Sequence, residues 1–279
     1  MPGGLPGISM DMCNANDQGT VTASTRGTAV TGGNGSYGSY AQLVASTPYD
    51  TCAVLVSLQS NAGVNTAVQN SVRLAIGGSG SEQVLIPDLI IPSLWAAYDV
   101  ANYFFPIQIS AGTRLSAAGY CSGATDTVYA NVTLFDGSFT NAEGCAGVDS
   151  IGWASGQGTA VTTGAANTKG SYAQLTASST KDYKGFVLRV DNQNSTASYT
   201  GIDSLLFDIA IGGAGSEQVI LPNYPIGRPK LSTNGAAASI TGSPSAHFPI
   251  QIPAGTRIAA RAQSILASQI MGVTLYGVY

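Results

Sequence analysis

The thirteen residues AIGGSGSEQVLIP, Ala75 to Pro87, return as AIGGAGSEQVILP, Ala210 to Pro222, with ten of thirteen identical. The three differences are conservative: Ser79 against Ala214, and Leu85-Ile86 against Ile220-Leu221. A second pair follows each copy, FPIQISAGTR (Phe105 to Arg114) and FPIQIPAGTR (Phe248 to Arg257), differing only at Ser110 against Pro253. Ahead of them, GTAVT (Gly27 to Thr31) matches Gly158 to Thr162, and SYAQL (Ser39 to Leu43) matches Ser171 to Leu175. The offsets grow along the chain: 158 − 27 = 131, 171 − 39 = 132, 210 − 75 = 135 and 248 − 105 = 143. Collinear elements separated by small insertions are what loops on a common scaffold tolerate. The chain therefore reads as a duplication, with an arm at 1–26, a first repeat at 27–136, a linker at 137–157 and a second repeat at 158–279.

Alternation identifies strands in both copies. In SVRLAIGG, Val72, Leu74 and Ile76 share one face, as Phe207, Ile209 and Ile211 do in SLLFDIAIGG, while Arg73 and Asp208 take equivalent outward positions. AVLVSL (Ala53 to Leu58), FVLRV (Phe186 to Val190), TRLSAAGYC and TRIAARAQS, and the closing VTLF (Val132 to Phe135) and VTLY (Val273 to Tyr276) supply further strands. Seven or eight strands per copy with frequent turn signals predict an all-β chain of two tandem antiparallel β-sandwich, jelly-roll-like domains. NAGVNTAVQNSV (Asn61 to Val72) repeats Val every fourth residue, but NQNSTASYTGID in the other copy does not, so it reads as a long loop. Two more long loops, Ile90 to Asn102 and Tyr224 to Ala246, are expected to meet a partner, the first through Trp95, Tyr98 and the nearby Tyr103. The linker carries Phe139, Ile151 and Trp153 as anchors between domains. The arm, with Leu5, Ile8, Met10 and Met12, reads either as a disordered terminus or as a segment that packs on a neighbouring subunit.

Charged residues make up only 9% of the 279, and polarity comes largely from Ser, Thr, Asn and Gln. Charge of both signs is what ordinarily keeps protein surfaces apart, so the deficit points to assembly. A net charge of −4, with 11 Lys and Arg spread singly, gives no basic patch and argues against nucleic acid as a partner. The N-terminal segment has neither the basic nor the apolar region of a secretory signal, and no apolar run reaches the ~20 residues of a membrane helix. Cys13, Cys52, Cys121 and Cys145 show no C-x-x-C spacing, which disfavours zinc; they read as buried thiols, with a Cys52–Cys121 bridge as the sharper alternative.

No catalytic constellation emerges. GGSGSEQ lacks the spacing of either phosphate-binding glycine motif, and a strand rather than a helix follows it, so its glycines read as a tight turn. Glu82 and Glu217 are the carboxylates repeated in that motif. A glycosidase needs two carboxyls across one sugar, but Asp88, six residues beyond Glu82, is matched by Asn223. Hydrogen bonding to turn amides is the reading adopted for both, with calcium or sugar coordination as the alternative. Arg114 and Arg257 recur after AGT and are candidate structural partners for Glu82 and Glu217. His247 is the only histidine, and its place at the start of a strand favours a structural role.

A duplicated GSEQVLIP…FPIQIxAGTR unit, low charge and a terminal VTLYGVY resemble virion structural proteins of tailed bacteriophages, which include capsid decoration (cement) and tail or neck accessory proteins. The resemblance implies sandwich or jelly-roll domains, homo-oligomers that are often trimers, attachment to capsid or tail proteins, and a place in a virion assembled in the host cytoplasm. It implies no enzyme, no cofactor and no metal. The alternative is a tail-fibre receptor-binding or carbohydrate-binding protein, with a glycan stacked on Trp95, Tyr98 and Tyr103.

Overall fold

The computed structural model describes residues 27–60, 70–91, 100–123, 126–139, 145–191, 203–228 and 246–279, together with the backbone of residues 10–11 and 15–18. The chain is all-β, and no helix occurs among the described residues. The first half holds β1 (Met10–Asp11), β2 (Ala15–Gln18), β3 (Thr28–Asn34), β4 (Ala41–Val44), β5 (Ala53–Ser60), β6 (Asn70–Ile76), β7 (Gln83–Ile91), β8 (Val100–Phe105), β9 (Leu115–Cys121) and β10 (Thr127–Phe135). The second holds β11 (Ser138–Phe139), β12 (Val148–Ile151), β13 (Trp153–Ala154), β14 (Gln157–Thr162), β15 (Ala173–Thr176), β16 (Gly185–Asp191), β17 (Asp203–Ile211), β18 (Gln218–Arg228), β19 (His247–Phe248), β20 (Ile258–Ser264) and β21 (Ile270–Val278).

In the first half, nine strands form one sheet in the order β7-β6-β9-β3-β10-β5-β8, with β2 also on β10 and β4 also on β9. The sheet is nearly closed because β3 belongs to both of its walls. It runs antiparallel to β10 over Thr28 to Thr31 and parallel to β9 over Gly32 to Asn34. Glycine makes the crossing possible: a Cβ on Gly119 of β9 would lie 3.0 Å from the Gly32 nitrogen. In the second half the corresponding strands form two sheets, β15-β20-β17-β18 and β13-β14-β21-β16-β19, with β12 also on β21 and, among the described residues, no counterpart of the β3–β9 pairing.

The register corrects one of the sequence matches. Thr28 pairs with Ala130 and Thr159 with Val273, so Ala130 and Val273 are equivalent, an offset of 273 − 130 = 143. Tyr276 is therefore the counterpart of Thr133, and Val278 that of Phe135. The VTLF and VTLY strings, offset by 276 − 135 = 141, are two residues out of register. A shift of two keeps every side chain on its own face, which is why the strings match in pattern without matching in place.

Alternation fills the interiors. Along β10, Val128, Ala130, Val132 and Leu134 are buried among Val30, Val54, Val56, Leu58, Val72 and Leu74. The second interior is built on Phe186, Leu188, Val190, Phe207, Ile209, Met271, Val273 and Leu275. The first interior is not closed by its own strands. Its flank between β7 and β8 is sealed by Val148 of β12, Val187 of β16, and Tyr276 and Val278 of β21, all within the same apolar cluster as Leu89, Tyr103 and Phe105. Each fully buried side chain of this size contributes roughly 1.5–3 kcal/mol. The repeats therefore share core rather than merely touching.

The segment read as a linker holds β11, β12, β13 and the first residue of β14. β12 pairs with β21, its Val148 and Ile151 are buried, and Trp153 packs edge-on against Tyr120 with ring centroids 5.6 Å apart. The loop expected from Tyr224 begins later, because β18 runs on to Arg228. Most of Asn61 to Val72 lies outside the described residues, and β6 starts at Asn70.

Candidate functional site

The duplicated turns carry two nearly superimposable polar clamps. Arg114, entering β9, places Nη1 3.1 Å from Glu82 Oε1 and 3.0 Å from the Gly77 carbonyl, while its Nε donates to Gln42 Oε1 at 3.1 Å. The other Glu82 oxygen accepts the Gly80 N–H at 2.9 Å. In the second copy Arg257 reaches Glu217 at 3.1 Å, the Gly212 carbonyl at 3.0 Å and Gln174 at 3.0 Å, and Glu217 accepts the Gly215 N–H at 2.9 Å. The turn geometry requires glycine at the position that donates to the carboxylate, where φ is +85° at Gly80 and +83° at Gly215. Both carboxyls are held below the usual range, first by their own backbone N–H, then by the arginine and the turn glycine. A carboxylate kept ionised, with its arginine already committed to a carbonyl and a glutamine, ties a turn to the neighbouring strand. It does not present a proton for acid catalysis.

Arg73 and Asp208, read as outward and solvated, are covered. Arg73 lies beneath the Tyr37 ring, its guanidinium carbon 3.8 Å from the centroid, with Tyr40 at 5.5 Å. Asp208 is 3% exposed and accepts Lys169 Nζ at 2.8 Å, Arg261 Nε at 2.8 Å and the Asn223 N–H at 2.8 Å. The repeats thus place opposite charges at one site and surround each with matching partners: Tyr37 against Lys169 and Ala118 against Arg261. Alternation identified the face correctly but could not show that loop residues fold over it.

Asp88 joins the two repeats. Its side chain accepts from the Tyr37 hydroxyl and from Ser150 Oγ of β12 at 2.5 Å, and its carbonyl accepts the Tyr276 hydroxyl at 2.8 Å. Burial first, then the Asp88 charge, pushes the Tyr37 hydroxyl far above its ordinary range. Tyr276 also accepts the Ile90 N–H at 3.0 Å, and its ring stands edge-on to Tyr103 and Phe105 at 5.5 and 6.1 Å. Arg189 of β16 sits 5.5 Å from the Tyr103 centroid.

Of the three aromatics placed in a partner-contact loop, Trp95 and Tyr98 lie outside the described residues. Tyr103 is in β8 rather than in a loop, fully buried, and donates its hydroxyl to the Ile90 carbonyl. It stands opposite Val56 of β5 on the interior side, where Tyr276 of the other repeat covers it. Cys52, Cys121 and Cys145 are buried and in no disulfide, and burial raises all three thiols; Cys13 lies outside the described residues. No group of three or more His, Cys, Asp or Glu side chains able to hold a metal occurs among the described residues.

A cleft of about 400 Å³ opens beside the junction, between Pro87 of β7 and the segment from Leu175 to Tyr183. Asp149 on its wall is already engaged, accepting Thr180 Oγ1 at 2.6 Å and the Tyr183 hydroxyl at 3.0 Å. Burial, and then Thr180 and Asp149 beside it, leave the Tyr183 hydroxyl raised to about 12.

Comparison with known proteins adds little. No family model matches the chain. No curated protein matches it. Among solved structures it is similar to PNGF-II in the C2 space group, at 10% identity and a TM-score of 0.34 over 97% of this chain and 64% of that one. PNGF-II in the P21 space group gives 12% identity and a TM-score of 0.33 over 97% and 65%. The chain spans less than two thirds of the length of these structures.

Proposed function

We propose that this chain is a non-enzymatic structural protein of a phage particle, a capsid decoration or cement protein made of two tandem jelly rolls. The observation that carries the reading is the repeated strand order. The run β3-β10-β5-β8, joined to β4-β9-β6-β7 through the β3–β9 pairing, recurs as β14-β21-β16-β19 and β15-β20-β17-β18, and this is the order expected of an eight-stranded double sheet of two Greek keys. That arrangement is common to viral shell and lectin domains. The remaining support is physical. The two copies share one buried junction, so the chain is a stiff double block able to bridge neighbouring subunits. Seven of its 26 charged residues are spent on internal clamps, at Glu82–Arg114, Glu217–Arg257 and Asp208–Lys169–Arg261. With 9% charged residues, the outer surface is suited to burial against protein. Attachment would stabilise the shell by added contact area, of which ~1,200–2,000 Å² is enough for specificity.

The carbohydrate-binding alternative loses Tyr103 as a stacking platform, because that ring is inside the core. The test is co-sedimentation of the purified chain with tailed-phage capsids, followed by heating of the loaded and bare particles. Saturable binding with a raised disruption temperature supports the reading. Absence of binding, together with a positive glycan array, replaces it with the alternative.

A further inference from the structure

We infer that the flank between β18 and β19 is a docking site for a second copy of this chain, which presents the outer face of its β5-β10 sheet there, head to tail. The inference extends the self-association expected above, but it is carried by the duplication itself.

Within one chain the junction has two halves. The flank is Leu85, Ile86, Leu89, Phe105 and Ile107 of the first repeat, all no more than 6% exposed. The face is Val187, Tyr276 and Val278 of the second repeat, all fully buried. Each half has a counterpart elsewhere in the chain. The flank recurs as Ile220, Leu221, Tyr224, Phe248 and Ile250, every one only partly buried. The face recurs as Leu55, Thr133 and Phe135, also partly buried, with Phe135 packed on Phe104 at a centroid distance of 6.0 Å. Among the described residues, one chain therefore leaves a partly exposed flank on its second repeat and a partly exposed face on its first. They are the two halves of a junction already formed in its middle.

The residue changes between the two versions are matched across the contact. At the internal junction the Ile90 N–H donates to Tyr276, whereas the corresponding residues are Pro225, which has no N–H, and Thr133. Internally Arg189 lies against Tyr103, and the corresponding residues are Ser57 and Ala246, so both members of the pair are lost together. Leu89, in one apolar cluster with Tyr276, corresponds to Tyr224, and Tyr276 corresponds to Thr133, which moves the aromatic from the face to the flank. Tyr224 already stands edge-on to Phe248 at 5.1 Å and 88°, as Tyr276 does to Phe105 at 6.1 Å and 83°. A small residue on the incoming face is what a flank filled in this way accepts. Since the two surfaces differ, the contact is heterologous and yields a ring if its rotation closes and a filament if it does not.

The experiment uses two full-length variants, Leu55→Glu on the face and Ile220→Glu on the flank, with wild-type circular dichroism required of both. Wild type is expected to sediment as a multiple of 28.3 kDa and each variant as a monomer. Mixed in equal amounts, the variants are expected to give a heterodimer of twice that mass, because one intact flank and one intact face remain. A monomeric wild type, variants that assemble like wild type, or a mixture that stays monomeric overturns the inference. If either variant fails to fold, a chain carrying both Ser57→Cys and Ala246→Cys replaces them. A ladder of reducible covalent oligomers supports the docking, and monomer alone overturns it. Capsid co-sedimentation is scored separately, so a monomer that still binds shells removes this docking without removing the proposed function.

Discussion

Tyr276 and Ile90, 186 residues apart, meet across the two repeats: the Ile90 N–H donates to the Tyr276 hydroxyl at 3.0 Å. That hydroxyl in turn donates to the Asp88 carbonyl at 2.8 Å, so one buried oxygen satisfies two backbone groups of β7. Tyr276→Phe keeps the packing against Tyr103 and Phe105 and removes both bonds. It should cost about 1–3 kcal/mol, the usual penalty for stranding a buried donor. Denaturant unfolding read by fluorescence and by circular dichroism is expected to show one coincident transition at lower midpoint. Separate transitions for the two halves in the wild type would contradict a shared core.

The two turn clamps form an internal control. Glu82 and Glu217 have folded-state carboxyls below their ordinary range, so their contribution is present at neutral pH and fades as pH falls through those lowered values. Carboxyl-detected NMR titration should find them alike. Arg114→Gln should raise Glu82 alone, and Arg257→Gln should raise Glu217 alone; a variant that moved both would show that the clamps are not independent.

Asp208 is pushed up by burial, but the hydrogen bonds from Lys169, the Asn223 N–H and Arg261 outweigh that, and its carboxyl lies below the usual range. Asp208→Asn should cost about 2 kcal/mol at pH 7, in line with charged hydrogen bonds in partly covered sites. The deficit should shrink as pH falls through the carboxylate range, since the wild type then loses the same charge. A deficit independent of pH would mean that packing, not charge, is being measured.

His247 is held down to about 4 by burial, and its Nε2, against the Gly185 backbone, has no hydrogen-bond partner among the described residues. Its folded value lies below its unfolded one, so stability is complete above pH 6.5 and is lost as pH drops toward 4. The first repeat has Phe104 at this place. His247→Phe should therefore leave stability at pH 8 within about 1 kcal/mol of wild type. Below pH 6.5 it should gain up to about 1.4 kcal/mol per pH unit relative to wild type. Thermal melts at pH 8, 6 and 4.5 check this.

The all-β class and the duplication were legible because identical turns and period-two alternation are local signals. What could not be read was which element covers which. Alternation assigns Arg73 and Asp208 to the face away from the interior, and it says nothing of Tyr37 or Lys169 closing over them. Tyr103 looks like part of an aromatic loop cluster until Tyr276 arrives from the far end of the chain. The VTLF and VTLY strings misled by two residues because a period of two matches itself after any even shift. The strands within 137–157 carry too few alternating positions to stand out from a glycine-rich background. The candidate clamps were legible only because they occur twice.

The sealing of the β7–β8 flank by the second repeat bears on how such a gene can change. After duplication, the first copy no longer had to bury its own flank, and its Leu89, Tyr103 and Phe105 now depend on Tyr276 and Val278 for cover. Loss of the second copy by recombination would expose that flank, at a cost of roughly 1.5–3 kcal/mol for each large side chain uncovered. Doubling here behaves as a ratchet. Later divergence is free to reshape the loops and outer faces, while the two halves must be inherited as one block.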